Sequence, residues 1–287
     1  METAALTADQ RALVTGPVDR RVFLDGPAGS GKTTAGVHRL LHLLHTGVPA
    51  EQILVLVPQR SLGARYYDVL NDPDLPPGGT TTVMTLGGLA QRMIELFWPA
   101  FATESGFARP DLPPTFLTLE TAQYYLARVV DPLLDEGYFE DVRVNRNRLY
   151  SQILDNLNKS AVVGFPHTAI AKQLKTAWNG KTSQLQIYDQ AQVCAERFRA
   201  YCYTHNLLDY SLQLEVFCQQ LWPSILVRAY LTGAYRHLIY DNVEEDVPMV
   251  HDIVRSWLPS FDSALLIFDR DGGFRSYLGA DVESGEC

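Results

Sequence analysis

The run Gly26-Pro27-Ala28-Gly29-Ser30-Gly31-Lys32-Thr33-Thr34 constrains this chain more than any other stretch, because it fits G-x-x-x-x-G-K-[ST] without a mismatch. Glycines let consecutive backbone N–H groups curl around an anion with no Cβ in the way. A helix starting at such a loop adds its positive N-terminal end. The flanks suit the loop: residues 21–25 read as a short buried strand running into it, and 33–46 have helical spacing leading out. The pattern predicts a bound nucleoside triphosphate, ATP, on Gly26, Gly29, Ser30, Gly31, Lys32, Thr33 and Thr34. Lys32 is expected to bridge the β- and γ-phosphates as a mobile point charge, and the Thr33 hydroxyl to ligate Mg2+.

Ahead of the first strand, residues 6–14 carry apolar positions at helical spacing behind Thr7 or Asp9 as a cap. Gln10 in this helix has an amide whose donor and acceptor match one edge of adenine, and it reads equally as a solvent-facing glutamine. Beyond the loop, 53–57 read as a second buried strand, 61–70 as a helix, 81–84 as a third strand and 86–97 as a third helix; 71–79, rich in proline and glycine, read as a loop. Strands alternating with helices predict an α/β fold, a parallel sheet flanked by helices. From 109 to 234 the period turns helical, over 120–134, 145–163, 167–178, 183–203 and 211–221, which predicts a large all-α inserted domain. Strands return at 237–240 and 264–268 to complete the sheet. The expected organisation is therefore 1–108 for the first part of the ATP-binding lobe, 109–234 for the helical insertion and 235–287 for the remaining strands. His38, His42 and His45 share one face of the helix after the loop at a spacing that metal sites use. Val37, Leu40, Leu43 and Leu44 fall on the other side, so the stripe is expected to face solvent.

A nucleotidase with this loop needs an acidic residue at the end of a neighbouring strand to hold Mg2+, and a carboxylate beside it to polarise the attacking water. Leu238-Ile239-Tyr240-Asp241 supplies the first. Alone, Asp241 reads as an ordinary turn residue; the upstream loop favours the metal role. The next residue, Asn242, accepts no proton, which leaves Glu244 or Glu245 as a displaced base.

The net charge of −9 argues against a protein that coats nucleic acid without specificity, while leaving room for a local basic groove. Arg143, Arg146, Arg148 and Lys159 make the densest basic stretch of the insertion; it reads either as a phosphate-contact patch or as the wet face of a helix. The cysteines at 194, 202, 218 and 287 show neither C-x-x-C spacing nor close pairs, so a zinc site or disulfide framework is not indicated and a reducing cytoplasm is the expected home. The apolar segments are strand-sized and no secretory leader opens the chain, so a membrane span is not expected.

Together these segments resemble the N-terminal lobe of superfamily 1 DNA helicases of the UvrD/Rep type. Residues 6–10 resemble their Q motif, and 53–70 and 82–93 resemble two motifs that line the DNA groove. Asn206-Leu207-Leu208-Asp209-Tyr210 resembles the segment, often L-D-F-x-D-L, that closes the inserted helical domain. Residues 235–248 lie where the family has D-E-x-Q-D, and 267–281 track its G-D-x-x-Q-x-I-Y-x-W/F-R-G-A-D motif in spacing and ending. The resemblance implies a RecA-like P-loop lobe with Lys32 and Asp241 in catalytic roles, Thr33 and Asp241 on Mg2+, Gln10 on the adenine, and single-stranded DNA over the strand ends. Its candidate DNA contacts are Tyr277, which aligns with a base-stacking aromatic and otherwise reads as core packing, Arg60 in the first groove motif, and Arg146 in the basic stretch. It further implies a second RecA-like lobe carrying γ-phosphate arginines, expected from a longer protein or from a partner, since this chain ends shortly after Asp281.

The departures from the family pattern also carry information. Asn242 stands for its catalytic glutamate, Glu244 for its glutamine, Gly272 for the downstream phosphate-sensing glutamine, and Leu278 for the arginine of R-G-A-D. The groove motifs read Val57-Pro58-Gln59-Arg60-Ser61-Leu62 and Thr85-Leu86-Gly87-Gly88. Retained ATP binding with impaired hydrolysis is the expectation. The Val-Pro-Gln stretch also resembles AddB-type subunits of helicase-nuclease complexes, so the alternative is an inactive, scaffolding helicase relative in a DNA-repair complex. A small-molecule kinase is disfavoured by the size of the insertion and by the 269–281 match.

Overall fold

A computed structural model describes residues 6–73, 75, 78–140, 145–276 and 279–286. The first helix, α1 (Ala8–Val14), starts behind Thr7, where a reciprocal capping box forms: Gln10 N donates to Thr7 Oγ1 and Thr7 N donates to Gln10 Oε1. The strand β1 (Arg21–Gly26) runs into the glycine loop and α2 (Lys32–His45) runs out of it. Next come β2 (Ile53–Leu56), a tight turn at Arg60–Gly63, α3 (Ala64–Leu70), β3 (Thr82–Met84) and α4 (Leu86–Phe101). The helical stretch comprises β4 (Thr115–Phe116), α5 (Leu119–Asp135), α6 (Arg146–Val163), α7 (Ile170–Ala177), α8 (Ser183–His205), β5 (Leu207–Leu208) and α9 (Tyr210–Val216). The chain then continues through α10 (Ile225–Ala234), β6 (His237–Asp241), α11 (Pro248–Trp257), β7 (Ser263–Asp269) and α12 (Val282–Glu286).

Two compact units result, one from 1–89 with 225–287 and one from 90–224. These divisions fall earlier than the 108/109 and 234/235 boundaries read from composition. Helical period alone cannot tell α10, which belongs with the sheet, from the helices of the insertion.

In the first unit the five strands are all parallel, in the order β1-β7-β6-β2-β3. β2 and β6 are buried along their whole length, which is why they read as unbroken apolar runs. From β1 the chain crosses to β2 and β3, then returns to place β6 and β7 between β1 and β2. The carboxyl ends of β1, β6 and β7 therefore border a reversal of strand order, where open α/β sheets take ligands. Register lines them up: Gly26 pairs with Asp269, and Asp241 with Ile267. α2 packs Val37, Leu40, Leu43 and Leu44 into a core with Val55, Ile239, Leu265 and Ile267. On its other side His38 and His42 are half-buried and His45 is exposed, and no group of three or more His, Cys, Asp or Glu placed to hold a metal occurs among the described residues. α11 was not anticipated, although Pro248 at its first turn and buried Met249, Val250, Ile253, Val254 and Trp257 give it a readable start and apolar face.

The second unit closes around an ion pair. Arg199 on α8 and Asp209 are both almost fully buried; Nη1 donates to Asp209 Oδ1 at 2.6 Å, and Nη2 to Ser211 Oγ at 2.5 Å. Asp209 also caps α9 by accepting from Leu212 N at 3.2 Å. The adjoining Leu207–Leu208 pairs in parallel with Thr115–Phe116. The 206–210 segment thus ties α8 and α9 to β4. Removing Asp209 leaves the buried Arg199 with only the more distant Glu215, 3.9 Å from its Nε, so Asp209→Ala is expected to cost about 3 kcal/mol of stability, measured by urea unfolding of the whole chain. A loss under about 1 kcal/mol would contradict that role.

Candidate nucleotide site

The glycine loop turns through two left-handed positions, Gly29 at φ 74° and Gly31 at φ 81°, which L-residues with a Cβ adopt only with strain. Gly31 is the residue before the first turn of α2, so the unpaired N–H groups of that turn open toward the loop. Lys32 is folded inward: its Nζ donates to Gly26 O at 2.8 Å and to Pro27 O at 2.6 Å, and lies 3.7 Å from Asp269 Oδ2. Gln10 is committed at both ends of its amide. While Oε1 accepts from Thr7 N, Nε2 donates to Ser30 O at 2.9 Å, so this side chain braces the loop from outside.

Asp241, the last residue of β6, has no exposed surface. Its Oδ2 accepts from the Tyr66 hydroxyl at 2.9 Å and its Oδ1 from Asn242 N at 3.0 Å, and the Thr33 hydroxyl lies close enough to favour its charged form. Burial raises the Asp241 pKa overall, and these three donors with the Lys32 charge offset only part of the rise. Burial and the Asp241 charge push the Tyr66 phenol well up, so it stays protonated and remains a donor. Gly36 makes the approach feasible, since a Cβ there would collide with the Tyr66 hydroxyl and come within 2.7 Å of Ile267 Cδ1.

Residue 242 adopts the left-handed conformation, φ 59° and ψ 48°, where asparagine is favoured over glutamate. The two glutamates expected as displaced bases do not border the cleft. Glu244 is buried, accepts from Asp269 N at 2.9 Å and lies against Gly272, where an added Cβ would come 2.5 Å from its Cγ. Glu245 accepts from three consecutive N–H groups, of Gly273, Phe274 and Arg275, each at 2.9 Å. Both side chains therefore hold the segment after β7 instead of facing the nucleotide. Asp246 holds the same region by accepting from the Tyr240 hydroxyl at 3.0 Å, while its carbonyl accepts from Asp281 N at 3.0 Å.

Gly29, Gly31, Lys32, Thr33 and Thr34 line one open cleft of about 560 Å³ together with residues of 61–65, Asp241, Asn242 and Asp269. Sequence reasoning missed Tyr66 and Asp269. The same signal that marks Asp241, an aspartate ending an apolar strand, marks Asp269; Tyr66 has no local signal. A second, smaller cavity near α1 is lined by Leu13, Leu43 and Leu265. Its one buried charge, Arg39, is spent on the carbonyls of Val14, Gly16 and Pro17. Of the proposed DNA contacts, Arg60 is exposed at the start of the turn after β2. Arg146 belongs to the other unit and pairs with Asp131 at 3.4 Å and Asp135 at 3.9 Å. Tyr277, Leu278 and Arg143 lie outside the described residues. No helix among the described residues is long and apolar enough to cross a membrane.

A family model for DEAD/DEAH box helicases matches residues 7–94, from the Thr7 cap through the phosphate loop and the first three strands into α4. It supports a helicase-like N-terminal region of the kind that binds ATP. No curated protein matches the chain.

Burial raises the pKa of Asp241, Glu244 and Asp246, so the folded chain holds protons that the unfolded chain has released. Their stabilising contribution is complete below the ordinary carboxylate range, about 4, and is lost as pH climbs through the raised values. His42 and His237, lowered by burial, act in the opposite sense, so a paired comparison isolates the acid. In EDTA, urea midpoints across pH 4.5–8 are expected to shift in favour of Asp241→Asn over the parent, by up to about 1.4 kcal/mol per pH unit within the titration window. A parent that gains on the variant as pH rises would contradict this.

Proposed function

We infer that this chain is the ATP-binding lobe of a UvrD/Rep-like DNA helicase. It binds MgATP on the phosphate loop and single-stranded DNA across the carboxyl ends of the sheet, and it hydrolyses ATP slowly. One observation carries the reading: the Thr33 hydroxyl and the Asp241 carboxylate meet beside Lys32 at the reversal of strand order. Two oxygen ligands on the wall of one cleft suit a hard cation, so Thr33 and Asp241 fit Mg2+. When bound, the ion neutralises charge that develops on the phosphates. The choice of the UvrD/Rep type over another helicase rests on the 206–210 and 267–281 segments.

The residues divide the work. The N–H groups of 29–34 hold the phosphates, and Lys32 leaves its loop carbonyls to follow the β- and γ-groups. Asn242 orients the attacking water through its amide and takes no proton. Loss of a general base costs about 10²–10⁴ in rate, which is the basis for slow turnover. DNA contact falls to Arg60 and Tyr277 in the lobe and to Arg146 in the insertion once it exchanges Asp131 for phosphate. A second RecA-like lobe closes the cleft in this reading, and the cytoplasm is its setting.

The second reading, an inactive AddB-like scaffolding subunit of a DNA-repair complex, is favoured by the commitment of Glu244 and Glu245 to the segment after β7. Calorimetric titration and steady-state ATPase assays, with and without single-stranded DNA, separate the two. Lys32→Ala is expected to abolish MgATP binding, the parent to turn over slowly with DNA stimulation, and Asn242→Glu to raise turnover at least tenfold. Undiminished MgATP affinity in Lys32→Ala would overturn nucleotide binding at this loop. A parent with no DNA-stimulated turnover, beside an active Asn242→Glu, would select the scaffolding subunit.

A further inference from the structure

Arg65, the second residue of α3, lines the same cleft as Lys32, Thr33 and Asp241. It is exposed, and it makes no hydrogen bond or ion pair among the described residues. Several other arginines of the sheet unit are engaged, Arg270 with Asp25, Arg236 with Asp262, and Arg39 with three backbone carbonyls, whereas Arg60 is exposed like Arg65 but does not line the cleft. The charges around the cleft make this free guanidinium informative. Two carboxylates, Asp241 and Asp269, line the same cleft, while Lys32 is 3.7 Å from Asp269 and bonded to the carbonyls of its own loop. A triphosphate remains anionic after binding one Mg2+, and a lysine shared with an aspartate leaves that charge under-compensated. Arg65 is the second cation on the wall.

Its placement is also fixed. The adjacent Tyr66 is fully buried, and its hydroxyl is bonded to Asp241 Oδ2, so the start of α3 is pinned to the carboxylate that fits Mg2+. The loop N–H groups serve the phosphates nearer the nucleoside, and the metal end of the cleft is where the terminal phosphate lies. A planar guanidinium with several donors is suited to phosphate oxygens.

We propose that Arg65 contacts the terminal phosphate of the bound triphosphate from within this lobe, and so makes the site prefer a triphosphate over a diphosphate. The proposal rests on the ATP-binding reading above. It is tested by titrating the full chain with MgATP, MgADP and a single-stranded oligonucleotide, for the parent, Arg65→Ala, Arg65→Lys and Lys32→Ala, with thermal unfolding to verify that each variant is folded. Arg65→Ala is expected to weaken MgATP about tenfold or more and to leave MgADP within about twofold, because a hydrogen bond to a charged group carries about 1.5–3 kcal/mol. Arg65→Lys is expected to recover part of the loss, as a point charge without the planar fork. Equal loss for both nucleotides would overturn the terminal-phosphate assignment. So would unchanged MgATP affinity in Arg65→Ala beside a dead Lys32→Ala, or a loss confined to the oligonucleotide; these outcomes leave nucleotide binding itself intact. A parent that binds neither nucleotide would instead sink the reading on which the proposal stands.

Discussion

A carboxylate with no exposed surface at the end of the central strand is the constraint on which the site depends. Placing the Asp241 charge there is unfavourable unless donors surround it, and the neighbouring elements supply them: Tyr66 from α3, Thr33 from α2 and the backbone N–H of Asn242. These bonds do more than satisfy the acid. They draw α2 and α3 together over the sheet, which in turn requires glycine at position 36 so that the Tyr66 hydroxyl can pass. Position 242, left-handed, turns the chain off β6 and directs the following acids away from the cleft.

Those acids form a second layer behind the first. Glu244, Glu245 and Asp246 bind backbone N–H groups or a tyrosine hydroxyl, and between them they hold Asp269, Gly273, Phe274, Arg275 and Asp281 beside the turn after β6. The layer is closed by His251 of α11, whose ring nitrogens reach Val243 O and Ser284 Oγ, tying α12 to the same turn. An acidic cluster that resembles catalytic equipment in sequence therefore serves as a backbone clamp. Glu244 and the glycine at 272 belong to one packing arrangement, since the Glu244 side chain occupies space that a larger residue at 272 would need.

The α/β class, the parallel sheet and all five of its strands were legible: β2, β6 and β7 as continuous apolar runs, and β1, which proves half-exposed and not buried as expected, from the glycine loop it leads into. Lys32, Thr33 and Asp241 were named from local pattern, and they meet in one cleft. Other features could not be read this way. Arg199 and Asp209 are ten positions apart with nothing to mark them as partners, and α10 has the same helical period as the insertion while belonging to the unit that holds the sheet. Gln10 has an amide suited to adenine, yet its use as a brace depends on Ser30, twenty residues away.

What the sequence by itself determined is what short-range stereochemistry controls: glycines at the left-handed positions of the loop, the Thr7 cap, the strand-loop-helix order, and an aspartate ending an apolar strand. Which side chains face the nucleotide cleft, and which are spent holding backbone, was decided only by the tertiary structure. Asp241, Glu244, Glu245 and Asp269 are chemically alike. Their roles separate according to which donors the parallel register and the packing of α2 and α3 bring within hydrogen-bonding distance, and those donors come from remote parts of the chain.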